Sequence, residues 1–314
     1  MKVTVTRKLE IAADICEFHL TLPGNQSLPP FAPGAHIDVH LGALVRQYSL
    51  CNDPIERDRY VLGVLKEPSS RGGAKTMHAL SEGDELEVSE PKNNFSLDCS
   101  ARHSILFAGG IGVTPILSMF HFMARRSISF EMHYCIRARS RAAFVDRLSG
   151  SELSARANVY CDSEPSVGQL DLSKVLRDPD PRKHLYVCGP GGFIEACLSA
   201  ADAAGWSEAN LHRESFAVAA NSSGPKEAFD LKLARSNRTV RVAPGQRVID
   251  ALTAAGVCVP SSCLEGTCGT CLTTVLDGEP DHRDAYLTKK ERTRNDRFLP
   301  CCSRSKTSVL VLDL

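Results

Sequence analysis

A chain of 314 residues is too long for one small core and calls for two or three domains. Its 37 Lys and Arg are balanced by 37 Asp and Glu, which leaves no global basic field for nucleic acid. The thirteen cysteines sit largely inside apolar runs such as Ile15-Cys16 and Tyr134-Cys135, a pattern of free thiols in a reducing cytoplasm; the opening MKVTVTRKLE lacks a signal-peptide core, and no run approaches a membrane span.

Residues 1–100 are predicted to be all-β. Strands are expected at Lys2 to Thr6, Ile15 to Leu22, Ala35 to Leu41, Arg46 to Leu50, Tyr60 to Leu65 and Glu85 to Val88. The Pro- and Gly-rich turns LPGNQSLPPFAPG, CNDP, EPSSRGG and SEGD separate them, so a small barrel or sandwich follows. From Ser104 the rhythm becomes strand, glycine turn, helix. SILFAGG, FEMHYCI, NVYCDS and HLYVCGP read as strands; ILSMFHFMARR, AAFVDRLSG, LSKVL and FIEACLSAADAA read as helices, with Pro115 in the first turn of the first. Such alternation means a parallel sheet covered on both faces over residues 101–220, with ligands at the carboxyl ends of its strands. NSSGPKE, residues 221–227, reads as a linker, and residues 228–314 begin with two strands and a helix that lead into a cysteine loop.

That loop is CLEGTCGTC. Cys263, Cys268 and Cys271 form C-x4-C-x2-C, and Cys301 in LPCCSR supplies a distant fourth thiolate, the plant-type spacing for a [2Fe-2S] cluster. Gly266 and Gly269 let the backbone wrap a small inorganic core closely. Zinc sites pair C-x2-C with a second such pair or with histidines, and none follows here. Cys301 and Cys302 are adjacent, so only one can be the ligand; Cys301 is taken, leaving Cys302 as a buried thiol. A cluster carries one electron and makes no bonds, so something must load it and something must drain it.

Upstream, Arg46, Gln47, Tyr48 and Ser49 place a guanidinium, a ring and a hydroxyl along one strand that could hold a flavin or simply be exposed. Ser70 to Thr76 is a glycine turn before a helix, either an anion site or an ordinary loop. Gly109 to Pro115 and Cys188 to Gly192 each follow a strand and open a helix, yet neither is a dinucleotide fingerprint. Asp162 ends a strand where a carboxylate could accept ribose hydroxyls, which favours NADH; Arg137, Arg139 and Arg141 argue for a phosphate or for a solvated loop.

In order and across essentially the whole chain, RQYSLCNDP, SRGGAK, GGIGVTPILSM, YVCGPGGFIEA, RESFA, CLEGTCGTC and PCCSR resemble the phthalate dioxygenase reductase family. That resemblance implies a Greek-key antiparallel β-barrel for flavin, an α/β parallel-sheet nucleotide-binding domain and an α+β β-grasp ferredoxin domain. It implies FMN lined by Arg46, Gln47, Tyr48, Ser49, Val64, Leu65 and Lys66, with Gly72, Gly73, Ala74 and Lys75 at its phosphate and Thr114 and Phe216 reaching the ring. Gly110, Gly112, Thr114, Cys188, Gly189 and Pro190 would position the nicotinamide of NADH, and Asp162 its ribose. Two positions depart from the family's pattern: Gln47, where a small residue or Thr is common, and Ala74, where Ser is common.

The expected activity is that of an NADH-dependent reductase in which Ser49, Thr114 and Cys188 position the hydride transfer. Its acceptor by resemblance is a Rieske-type non-haem iron oxygenase, met by a ferredoxin surface where Glu265, Asp277, Glu279, Asp281 and Asp284 could offer charge. Two alternatives are an FAD-containing reductase serving a diiron oxygenase complex and a redox-sensing iron–sulfur regulator.

Overall fold

A computed structural model describes the chain at all residues except 43, 68–71, 149–153, 165–167 and 217–226. The expected linker at 221–227 therefore lies, Glu227 apart, outside the described residues, as do Ser70 and Arg71. Packing divides the chain into two compact units, Met1–Glu214 and Ser215–Leu314.

The first unit opens with β1 (Lys2–Ala12), β2 (Ile15–Thr21), β3 (His36–Leu41), β4 (Leu44–Ser49), β5 (Tyr60–Leu65), α1 (Gly73–Ala79) and β6 (Glu85–Val88). These strands make an antiparallel sheet in the order β4-β3-β6-β1-β2-β5. A bridge between Leu50 and Leu62 and a bond from Cys51 N to the Val61 carbonyl (2.9 Å) join its two edges, so the sheet is a barrel rather than a sandwich. Phe18, Leu20, Ile37, Leu50 and Leu62 fill its interior. Strand β1 runs well past Thr6, where the charges of Arg7, Lys8 and Glu10 break the alternation of apolar residues. A register shift between Val5 and Arg7 absorbs the break, and Lys8 Nζ donates to the carbonyls of His78 (2.7 Å) and Leu80 (2.8 Å) at the end of α1.

The same unit continues with β7 (His103–Gly109), α2 (Val113–Arg125), β8 (Phe130–Ile136), β9 (Ala157–Cys161), α3 (Leu172–Leu176), β10 (Lys183–Cys188), α4 (Gly191–Ala203) and β11 (Leu211–Glu214). All five strands are parallel, ordered β11-β10-β7-β8-β9. The chain builds outward from β7 to β9 and then returns to the other side of β7, so a topological switch point falls between β7 and β10. Helix α2 covers one face through Ile116, Phe120 and Met123; α3 and α4 cover the other through Leu176, Ile194 and Cys197. The barrel and this sheet share a core in which Ile15, Cys51, Val61 and Phe95 meet Ile116, Met119 and Phe120. Near residue 100 the architecture therefore changes within one packed unit.

One expected helix is absent. Over its described residues, 142–148, AAFVDRLSG forms only a short 3-10 turn at Val145–Leu148, because Phe144 takes a left-handed φ of 63° and cannot continue a helix. Its buried ring instead packs on β5, where a Cβ at Gly63 would lie 2.8 Å from it.

The second unit contains β12 (Phe229–Leu233), β13 (Arg238–Val242), α5 (Val248–Ala254), β14 (Thr273–Asp277), β15 (Pro280–Asp281), α6 (Lys289–Arg294), β16 (Arg297–Phe298), β17 (Arg304–Ser305) and β18 (Val309–Leu312). Its main sheet runs β13-β12-β18-β14-β16 with β12 and β18 parallel. Helix α5 lays Val248, Ala251 and Leu252 against Leu231, Val242, Phe298 and Leu310, the helix-gripping sheet of a β-grasp. No helix among the described residues is long and apolar enough to cross a membrane.

Candidate functional site

In the second unit, Cys263 to Cys271 traverse a loop without regular structure between α5 and β14. Close packing dictates its glycines. Gly266 (φ +75°) and Gly269 (φ +73°) are both left-handed; a Cβ on the first would sit 2.4 Å from Cys302 Sγ, and one on the second 2.3 Å from the Tyr286 ring. Leu264 also holds a left-handed φ of 55° and is 40% exposed.

The backbone amides of Glu265 and Thr267 each donate to Cys263 Sγ at 3.4 Å, and Thr270 Oγ1 lies 3.1 Å from Cys268 Sγ. Cys268, beside Cys263, draws the Cys263 thiol down to about 4, and Cys271 and Cys301 lie together in one buried cluster that Cys302 borders. Among the described residues no three His, Cys, Asp or Glu side chains are grouped as they would be around one metal ion. Two thiolate pairs suit instead a binuclear group in which each iron takes two protein sulfurs. Cys271 and Cys301 are both 2% exposed, whereas Cys302 is half-buried rather than buried, with its Sγ 3.7 Å from the Leu299 carbonyl.

The five acids expected to offer surface charge divide. Asp277 is exposed and Glu265 half-buried, but Glu279 pairs with Lys306 (2.5 Å), Asp281 pairs with Arg283 (2.6 Å), and Asp284 is buried, accepting from the Leu287 amide at 2.7 Å. These three carboxylates are engaged by partners within the second unit, which leaves a smaller acidic face than the sequence suggests.

In the first unit, the ends of β4, β7, β10 and β11 converge. Ser49 is buried at the end of β4, and its Oγ donates to Glu214 Oε2 at 3.4 Å, at the end of β11. Cys188 stands opposite Glu214 in the β10–β11 register. Burial pushes the Cys188 thiol well up and raises the Glu214 carboxyl to about 8. Thr114, at the start of α2, donates to the Ile111 carbonyl (3.0 Å), and a Cβ on Gly63 of β5 would meet its methyl at 2.8 Å. A Cβ on Gly112 would lie 2.3 Å from the Cys188 carbonyl oxygen, and one on Gly189 would lie 2.9 Å from Gly109 Cα. The two β-to-α turns at the switch point thus approach backbone to backbone. Gly110 supplies the left-handed φ of 53° before α2, and the Pro190 carbonyl accepts the first amides of α4.

On the barrel wall, Arg46 lies across the start of α1, where a Cβ on Gly73 would come 2.5 Å from its Cγ. Gly72 precedes that helix at φ +98°, Lys75 is exposed on its first turn, and Ala74 packs against the barrel core. Burial moves the Tyr48 hydroxyl up to about 12. Gln47 is engaged within the barrel: its amide donates to Asp38 Oδ1 (3.0 Å) and lies 3.1 Å from His36 Nε2. The side chain of Val64 is buried in the barrel core, Leu65 packs toward the shared core, and the exposed Lys66 donates its amide to the Asp14 carbonyl (2.8 Å). Asp162 is exposed just beyond β9, with its amide on the Ile136 carbonyl (2.9 Å). Arg139 binds Glu164 at 2.7 Å and Arg141 reaches Asp14 at 3.2 Å. Phe216 belongs to the second unit and is 40% exposed.

Three residues of the first unit escaped the sequence reading: Glu214, Gly63 and Phe144. Only Glu214 carried a signal, a carboxylate closing a short strand in the RESFA stretch.

Residues 231–306 match the family described as a 2Fe-2S iron-sulfur cluster binding domain. The chain is 49% identical over 315 residues to a vanillate O-demethylase oxidoreductase of Pseudomonas putida, covering 99% of each chain. It is 37% identical over 318 residues to a phthalate dioxygenase reductase of Burkholderia cepacia, covering 100% of this chain and 97% of that one. A solved phthalate dioxygenase reductase, described as a modular structure for electron transfer from pyridine nucleotides to [2Fe-2S], superposes with a TM-score of 0.73 at 36% identity, covering 100% of this chain and 98% of that one.

Proposed function

The chain belongs to the phthalate dioxygenase reductase family, and from that premise we propose that it carries electrons from NADH through FMN and a [2Fe-2S] cluster to the Rieske-type terminal oxygenase of an aromatic-ring hydroxylation or O-demethylation system. The observation that carries this reading is the cysteine loop, in which Cys263 Sγ accepts the Glu265 and Thr267 amides and Cys271 packs with the distant Cys301 in one buried cluster. A donor of electron pairs and a one-electron cluster need a converter between them, and this is the chemistry a bound flavin supplies.

The protein's own residues hold and orient these groups. Arg46 with Gly72, Gly73 and Lys75 forms a cationic, glycine-lined seat for a phosphate at the barrel edge. Ala74 brings no hydroxyl to it, so Lys75 and Thr76 must compensate. Gln47, tied to Asp38, orders the barrel wall behind that seat rather than offering its amide. Ser49 and Tyr48 line the wall on which a flavin ring would rest, and Val64, Leu65 and Lys66 contribute chiefly backbone. Gly110, Gly112, Gly189 and Pro190 keep the switch point open at backbone level, where Thr114 and Cys188 would position a nicotinamide.

Cys188 stays a neutral thiol and Glu214 is a carboxylic acid up to about pH 8, so neither places a full negative charge beside the hydride path at neutral pH. Asp162 favours a free ribose, and Arg139 and Arg141 are already engaged by Glu164 and Asp14, which supports NADH over its 2′-phosphorylated relative. Thirteen free cysteines fit a cytoplasmic location.

Absorption during anaerobic NADH titration tests the proposal. Flavin bleaching and cluster reduction should appear together, and chromatography of the acid-released flavin should give FMN. A colourless protein made with adequate iron, or one holding only zinc, overturns it.

A further inference from the structure

The C-terminal unit contains a second polar site that the electron path does not use. A cavity of about 450 Å³ is lined by Glu279, Asp281, His282, Arg292, Asn295 and Lys306 among others. The His282 side chain is only 7% exposed, and among the described residues neither ring nitrogen has a hydrogen-bond partner; Nδ1 stands 3.7 Å from Asp284 Oδ1, an ion-pair distance too long for a hydrogen bond. Arg292 Nε is likewise buried and unpartnered, while its terminal nitrogen donates to the Asp284 carbonyl. The acids of the cavity are already neutralised, Glu279 by Lys306 at 2.5 Å and Asp281 by Arg283 at 2.6 Å. What remains is a set of buried donors without acceptors, and such groups are costly unless something supplies lone pairs. A cation would find no free carboxylate here, and no metal-holding group occurs among the described residues.

We propose that this cavity binds one small oxyanion, of phosphate or carboxylate type, gripped by His282 and Arg292 and flanked by Lys306 and Asn295. The planar guanidinium and the imidazole N–H supply directed donors of the kind that recognise such oxygens. Occupancy also bears on the cysteine loop. Asp284, which Arg292 holds by its carbonyl, accepts from the Leu287 amide (2.7 Å) and Ser303 Oγ (3.4 Å); the next amide, Ala285, donates to the Gly266 carbonyl at 2.9 Å. An anion that fixes Arg292 therefore fixes the segment against which the loop is packed.

The test is isothermal titration calorimetry of the full-length, cluster-loaded protein with inorganic phosphate, and separately with acetate, against chloride at constant ionic strength. Visible circular dichroism of the cluster is recorded in parallel. Saturable one-site binding is expected, weakened about tenfold or more in His282→Phe and Arg292→Gln by loss of a charge-assisted or buried hydrogen bond. Lys306→Met, which does not touch Asp284, should weaken it about threefold and keeps the test readable if Arg292→Gln fails to fold. Preference for phosphate assigns a free phosphate, and equal or better binding of acetate assigns a carboxylate. Absence of saturation with either anion, as for a cavity holding only water, or unchanged affinity in both His282→Phe and Lys306→Met, overturns the proposal. The calorimetry requires no electron transfer, so its failure is distinct from failure of the reductase reading.

Discussion

The cysteine loop and the strand-end convergence are built on opposite plans. The loop carries three thiols within nine residues on irregular backbone, shaped by two left-handed glycines whose missing side chains leave room for Cys302 and Tyr286. The convergence brings Ser49, Thr114, Cys188 and Glu214 from four separated segments, and no spacing in the chain relates them. In the first region chemistry is written locally and the fold supplies only a fourth thiol. In the second, sheet order does all the assembling.

Cluster ligation is where the contrast should be largest. Cys271→Ser or Cys301→Ser breaks one thiolate pair, so the cluster should be lost and NADH-driven reduction of cytochrome c should fall to background, while reduction of ferricyanide by the flavin persists. Cys302→Ser should leave both rates within about twofold, since this thiol lies outside the pairs; iron content and visible absorption report the difference.

A glycine in each region gives the next test. Gly112→Ala drives a methyl into the Cys188 carbonyl, backbone that cannot yield, and should destabilise the first unit by about 2–4 kcal/mol in urea unfolding. Gly269→Ala meets the outer end of the Tyr286 ring, which can swing away, and should cost nearer ~1 kcal/mol, mainly from its positive φ. Equal costs would mean that the switch point is less tightly closed than the loop.

Glu214 makes the convergence sensitive to pH. Its folded pKa is raised from 4.5 to about 8 by burial, so the folded state holds a proton that the unfolded chain releases. That stabilisation is complete below about pH 4.5 and is lost as pH rises through about 8. Glu214→Gln should therefore flatten the fall in Tm measured across this window, and an unchanged slope would remove Glu214 as its source. The smallest effect is expected for Ser49→Ala. Its long hydrogen bond to Glu214 suggests a decrease of about threefold in stopped-flow flavin reduction, with little change in stability.

Much of the fold was legible because period and punctuation were strong. Six barrel strands and the helices beginning at Val113 and Gly191 fall where alternation and glycine turns place them. The misses have particular causes. Strand β1 outran its apolar pattern because Lys8 is needed by the end of α1. AAFVDRL has helical composition, but Phe144 gains more by packing against Gly63 than by continuing a helix. LHRE, short and polar, became β11 because its backbone completes the parallel sheet. Of the five acids, Glu279, Asp281 and Asp284 found partners within the second unit that no linear reading pairs with them.

The sequence by itself carried the spacing of the three loop cysteines, the order of the three architectures and the turns that open at strand ends, since each depends on residues near one another in the chain. Tertiary structure decided that strands β1 to β6 close into a barrel, that Cys301 rather than Cys302 packs with Cys271 in the buried cluster, and that Glu214 stands beside Ser49 and Cys188. Those choices depend on which distant surfaces exclude water together, and burial of that kind has no signature until the chain has folded.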